Sequence, residues 1–270
     1  MKVDKFRTVI IYIIIILLGL VCLLPLLNIV AISFSSSAAV EGNMVGLIPV
    51  GFSTAAYEKI LEDSQFWHSF LISVERVVLT LIINFVLIVL MAYPLSKTNA
   101  QFRGRNIYAN LMIFAMLFNG GMIPTFLLVK SYGLLNTVWA LVLPGAVPIF
   151  NVILVMNFFA AVPKELEEAA FIDGANPLQV LTKIFIPISK PVLATVSLFS
   201  IVGSWNDFYS GLIYMSKAAY YPLMTYIQSL QINVEDLIKQ GNLSAVVDSA
   251  SLGNTNLMQP RSLLQLSRCC

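Results

Sequence analysis

Five apolar runs dominate this chain, at about residues 9–33, 70–95, 110–129, 138–161 and 188–215. Each is near the roughly 20 residues that a helix needs to cross the hydrocarbon core of a bilayer. Of the 270 residues 58% are hydrophobic and only 11% are charged, whereas a soluble domain carries about 25% charged residues. A soluble fold has too little interior to hide that much apolar surface, so lipid is the expected solvent. In lipid the backbone must satisfy its own hydrogen bonds, which makes these runs helices. The expected fold class is all-α, a polytopic membrane helix bundle with five visible spans. Asn119-Gly120-Gly121 and Pro124 interrupt the third run, and Pro144 and Pro148 lie inside the fourth. The first run follows Lys2, Lys5 and Arg7. It is too long for the roughly 7–15-residue apolar core of a signal peptide, and reads as an uncleaved span.

Orientation follows from the basic residues. With the N-terminus inside, the inner segments carry nine Lys and Arg residues, and the outer loops carry four (Lys59, Lys130, Lys217 and Lys239). That bias predicts a cytoplasmic N-terminus and places residues 163–187 on the cytoplasmic side. The outer loop 34–66 should hold a short amphipathic helix near Tyr57–Asp63, and Pro222–Leu230 reads as another. Glu75 and Arg76 read as charges at a span boundary. The remaining basic residues are scattered rather than striped, and nothing points to nucleic acid. Three cysteines, two of them adjacent at the end, make no disulfide framework. His68, the only histidine, has no companions at metal-ligand spacing.

Residues 163–187 are a polar break with a pattern. Pro163 can start a helix, because its missing N–H costs nothing in the first turn. Glu165, Glu167 and Glu168 place negative charge where the helix dipole favours it. Ala169 and Ala170 are small and would let a partner surface approach the backbone. Gly174 can end the helix in a left-handed conformation. Asn176 and Pro177 are a good N-cap and first position for a second helix. Leu178, Leu181, Ile184 and Phe185 would form its apolar stripe. Pro187 and Pro191 should bend the chain into the fifth run. The expected unit is a helix-turn-helix elbow lying along the membrane. Read from these residues alone, an ordinary amphipathic connector stays open as the alternative.

The run Glu168-Ala169-Ala170-Phe171-Ile172-Asp173-Gly174, nine intervening residues and then Ile184-Phe185-Ile186-Pro187 match the spacing E-A-A-x-x-x-G-x9-I-x-[LI]-P. With Phe118–Pro124, Tyr132–Thr137 and Ser204-Trp205-Asn206-Asp207-Phe208 in order, the chain resembles the type I permease subunits of ABC importers. The resemblance is to the carbohydrate-uptake class, maltose-transporter-like and of the complex-sugar and oligosaccharide subgroup. It implies a half-channel in a bacterial cytoplasmic membrane. The implied partners are a second permease subunit, a cytoplasmic ATPase dimer, an extracytoplasmic solute-binding protein and the sugar. It also implies that Glu168, Ala169, Ala170, Asp173, Gly174 and Pro187 belong to the loop that engages the ATPase. The chain has no G-x-x-x-x-G-K-[ST] phosphate loop. It is therefore expected to be no enzyme and to hold no cofactor, with ATP bound by the partner subunit.

Polar residues within the runs are costly in lipid and tend to face a pathway or another helix. Asn119, Gly120, Asn151, Trp205 and Asn206 offer the hydroxyl partners and aromatic face that a sugar requires. Interhelical hydrogen bonding is the alternative for the same residues. Asp207 is a lone acid, the feature that a secondary transporter would use as a proton relay.

The resemblance implies six spans where five are visible. Residues 253–270 are too short and too polar for a sixth. The expectation is a truncated or frameshifted end near Gly253–Asn256. A non-transporting remnant is the corresponding alternative function.

Overall fold

A computed structural model describes residues 5–118 and 120–230. Asn119, the tail at 253–270 and any sixth span lie outside the described residues. Among the described residues the regular structure is helical, with no strand. They divide into two compact units, one of the residues up to Phe66 together with those from Ser229 onward, and one running Trp67–Gln228.

The first unit begins with α1 (Lys5–Ser33), a 29-residue helix whose apolar side chains are exposed all round. A helix apolar on every face belongs in lipid. The loop after it folds back on its end. Asn28 Nδ2 donates to the Gly46 carbonyl at 2.6 Å. Phe34 stacks on Phe52 and Tyr57, with ring centres 5.7 and 5.1 Å away. Tyr57 OH donates to Ser33 Oγ at 2.9 Å. Two short helices lie in this loop, α2 (Ser37–Glu41) and α3 (Ala55–Glu62), the latter where the amphipathic pattern predicts it.

The second unit is built around α4 (Ser64–Leu95). Its buried residues recur every three or four positions: Ser69, Ser73, Arg76, Thr80 and Asn84, then Ile88, Ala92 and Leu95. That spacing puts them on one helical face, polar in its first half and apolar in its second. The apolar half joins Met112, Val152, Val155, Phe159, Val180, Leu181, Phe185, Val192 and Val196 in the main core. A smaller cluster holds Val129, Ala140, Leu141, Tyr214 and Met215.

Three of the five expected spans are not single straight helices. The third is α5 (Arg105–Leu117) and α6 (Met122–Ser131), parted at the glycine pair. The fourth is α7 (Val138–Val142), a 3-10 turn at Leu143–Gly145 and α8 (Ile149–Ala160), with a 48° bend. Pro148, just before α8, has no N–H to continue a helical ladder from the turn. After α9 (Lys164–Ile172), the chain enters the fifth expected span through α10 (Pro177–Val180), a π turn at Leu181–Phe185 and α11 (Ile186–Ile188), which belong to the elbow. It turns by 83° into α12 (Lys190–Asn206), and α13 (Tyr209–Tyr214) follows a break at Asp207-Phe208. Helix resumes over residues 223–230, as expected.

Gly211 in α13 shows how closely these short pieces pack. A Cβ there would lie 2.0 Å from Thr225 Oγ1 and 2.8 Å from Thr225 Cβ. Thr225 is fully buried and its hydroxyl is held by the Phe208 carbonyl at 2.9 Å, so it has no room to yield. Gly211→Ala should cost about 1–3 kcal/mol by overpacking. Thermal unfolding in detergent should show a lowered Tm for this variant and no loss for Gly19→Ala, which meets open space.

Candidate functional site

The 163–187 segment is the elbow that its local chemistry predicts. Pro163 holds the N-cap position, and Lys164 is the first residue of α9. The end of α9 is a Schellman motif: Ala175 N–H bonds to the Ala170 carbonyl at 2.9 Å and Gly174 N–H to the Phe171 carbonyl at 3.1 Å. The motif needs a left-handed residue, and Gly174 supplies it with φ +80. Two residues on, Asn176 Oδ1 accepts from Gln179 N–H and Gln179 Oε1 accepts from Asn176 N–H, each at 2.9 Å. This capping box starts α10 with Pro177 at its first position. The sharp turn comes at Ser189, between Pro187 and Pro191.

The elbow presents one face outward and anchors the other. Glu168, Ala169, Asp173, Gly174 and Pro187 are exposed, and Ala170 is half-buried against the main core. The inner stripe differs from the expected one. Leu178 is 62% exposed, and Val180 is fully buried with Leu181 and Phe185. The π turn widens the helical period over Leu181–Phe185. Val180, Leu181 and Phe185 still recur at helical spacing, on a face turned away from Leu178.

Glu167 sits in the first turn of α9, where the helix dipole favours its charge. It is buried, and Lys97 Nζ donates to its Oε1 at 2.7 Å. The same ammonium lies 4.1 Å from the Tyr93 ring centre and 4.2 Å from that of Phe185, so two aromatic faces flank it. Burial pushes the Lys97 pKa below its ordinary value, and the hydrogen bond and charge of Glu167 oppose that shift.

A second feature lies among α4, α7, α8, α12 and α13. A cavity of ≈ 280 Å³ is lined by Arg76, Thr80, Asn84, Asn151, Ser200, Ser204, Asp207 and Tyr214, among others. Arg76 is not a boundary charge: it is 3% exposed and forms an ion pair with Asp207 Oδ2. Its Nη1 also donates to the Asp207 carbonyl at 2.8 Å. Asp207 is accordingly not a lone acid, and its Oδ1 accepts from Ser210 N–H at the start of α13. Asn84 Nδ2 donates to Ser200 Oγ at 3.2 Å. Arg76 Nε, Thr80 Oγ1 and Asn84 Oδ1 are buried with no protein partner.

Of the pathway residues expected from sequence, Asn151 lines this cavity. Gly120 is exposed between α5 and α6. Trp205 is half-buried and meets Phe70 edge-on with ring centres 6.0 Å apart, and Asn206 Nδ2 caps the Val202 carbonyl at 2.9 Å. Neither lines the cavity. Thr80, Asn84 and Ser200 do, and sequence reading missed them. For Thr80 and Asn84 the signal is the 76, 80, 84 spacing of polar residues on one face of α4.

Residues 77–247 match the family described as the binding-protein-dependent transport system inner membrane component. The chain belongs to that family. Its similarity to curated members is extensive. Protein LplC of Bacillus subtilis is 42% identical over 214 residues, 79% of this chain and 72% of that protein. The polygalacturonan/rhamnogalacturonan transport system permease protein YtcP of the same organism is 39% identical over 241 residues, 89% of this chain and 83% of that protein. A crystal structure of a bacterial ABC transporter involved in the import of the acidic polysaccharide alginate aligns with a TM-score of 0.79 and 33% identity. That alignment covers 86% of this chain and 82% of the solved one. The chain is an inner membrane permease subunit rather than an enzyme, and its all-α architecture is that of the family.

Removing one member of a buried ion pair leaves the other charge unanswered, at a cost of about 3–5 kcal/mol. Arg76→Met and Asp207→Asn should each lower the detergent Tm of this permease sharply. The double variant should lose less than the two single losses added together. A double-mutant cycle on Tm reads this coupling, and simple additivity would contradict it.

Proposed function

We propose that this permease is the membrane subunit of an ATP-driven importer of sugars or oligosaccharides, and that its 163–187 elbow couples it to a separate ATPase. The exposed strip of Glu168, Ala169, Asp173 and Gly174, on a helix whose opposite side is anchored to the main core, carries this reading. A rigid, small-residue surface backed by the bundle suits the task of passing force between chains. The names of the relatives favour carbohydrate cargo: polygalacturonan/rhamnogalacturonan for YtcP, diacetylchitobiose for NgcG of Streptomyces coelicolor, and alginate for the solved transporter.

In this reading two permeases form the pathway, each supplying half. An ATPase dimer beneath them binds and hydrolyses ATP, and a solute-binding protein delivers the sugar from outside. The N-terminus and the elbow face the cytoplasm, in line with the basic-residue bias. Closure of the ATPase dimer brings the elbows together and rocks the spans, and hydrolysis resets them. The polar cavity belongs to the pathway: Asn84, Asn151, Ser200 and Thr80 offer hydroxyl-matching groups in a bundle otherwise closed by apolar side chains. Gly120, Trp205 and Asn206 are assigned to the same route, beyond the residues that line the cavity.

The test is reconstitution with the second permease, the ATPase and the binding protein in liposomes. Gly174→Pro cannot adopt the φ of +80 that ends α9. It should abolish uptake and the stimulation of ATP hydrolysis by the binding protein. Uptake that survives Gly174→Pro, or that proceeds without the ATPase, would overturn the coupling role. Asn151→Ala should weaken sugar uptake by roughly 5- to 30-fold, the loss of about 1–2 kcal/mol of hydrogen bonding, with little change in basal ATP hydrolysis.

A further inference from the structure

We propose that Lys97 and Glu167 are positioning residues that carry the movement of the elbow into α4. The inference rests on the coupling role of the 163–187 segment and adds to it a transmission point that lies in neither α9's exposed strip nor the cavity.

The elbow meets the bundle in two ways. The first is apolar: Val180, Leu181 and Phe185 lie in the main core, and Ala170 and Ala175 pack at its edge. Apolar contact is non-directional and sets no bond geometry of its own. The second is the ion pair between Glu167 and Lys97, with side chains each 11% exposed. A charge-assisted hydrogen bond of 2.7 Å has a preferred geometry. The flanking rings of Tyr93 and Phe185, themselves edge to face with centres 5.2 Å apart, leave the ammonium little freedom to swing.

The positions of the two residues make this bond a mechanical joint. Glu167 is adjacent in sequence to Glu168, and successive helix positions differ by about 100°, so one faces the core and the other faces outward. A push on the exposed face of α9 is therefore delivered to Glu167 by one rigid helix. Lys97 lies two residues beyond the end of α4, and one of its flanking rings, Tyr93, is on α4 itself. The same helix carries Arg76, which grips Asp207 at the break between α12 and α13. A displacement entering at Lys97 thus reaches the wall of the polar cavity along one continuous helix.

The experiment uses the full transporter in liposomes and reads two rates together: sugar taken up and ATP hydrolysed. Lys97→Met and Glu167→Gln should keep ATP hydrolysis while uptake per ATP falls about tenfold. The exchange Lys97→Glu with Glu167→Lys should recover much of that ratio. A merely structural bond would reduce the amount of assembled transporter and leave uptake per ATP unchanged, and that result overturns the proposal. If the single variants do not assemble, Glu167→Asp serves, because it keeps both charges and shortens the reach by one methylene. A lowered ratio in it supports the joint, and an unchanged ratio rejects it. Glu168→Lys and Gly174→Pro run alongside. If they break coupling and the Lys97 and Glu167 variants do not, this inference fails and the elbow's role stands. If none of the four does, the coupling role itself fails.

Discussion

An arginine inside an apolar bundle must find an answering charge, and the pair between Arg76 and Asp207 is the constraint that the rest of the second unit accommodates. Asp207 cannot reach Arg76 from the middle of a regular helix while also capping the start of α13. Instead α12 stops at Asn206, Asp207 turns its carbonyl and one carboxylate oxygen to Arg76, and its other oxygen starts α13 through Ser210. The neighbouring positions on α4 can then be polar as well, because Thr80 and Asn84 face other helices instead of lipid. A cavity with polar walls is the outcome.

The second constraint is the backbone. A bent or broken helix frees N–H and C=O groups that lipid cannot satisfy. Several connections in this unit come with local partners. Asn136 Oδ1 takes the Ser216 amide at 2.7 Å, and Asn136 N–H bonds to the Tyr214 carbonyl, which ties the loop before α7 to the end of α13. Ser73 Oγ accepts from Leu223 N–H at 2.7 Å just where helix resumes. At the elbow, a Schellman motif and a capping box stand back to back within residues 170–179. The turn between α9 and α10 is therefore hydrogen-bonded throughout, which makes the elbow stiff enough to act as one body.

How much of this was legible in the sequence depended on how far each determinant reaches along the chain. Gly174, Asn176 and Pro177 were readable because caps and left-handed turns are settled by the next three or four residues. The apolar runs were readable for the same reason, although their bends were only hinted at by Pro148 and the glycine pair. Leu178 is exposed because packing in the main core selects the face of Val180, Leu181 and Phe185, and the period alone does not say which face turns inward. The partners of Arg76 and Glu167 were not readable: Arg76 reads as a boundary charge and Glu167 as one placed for the helix dipole, and each is answered by a residue 131 or 70 positions away.

The sequence by itself determined the solvent, the helical class, the membrane-length segments and the elbow, since apolar content, helical period and capping chemistry act locally and lipid forbids the alternatives. Only the tertiary structure decided which polar residues wall the cavity, which acid partners Arg76 and which glutamate of the elbow turns inward. Those outcomes depend on packing between helices distant in sequence. A buried charge takes whichever partner the fold brings within hydrogen-bonding range, and nothing in its own neighbourhood records which one that is.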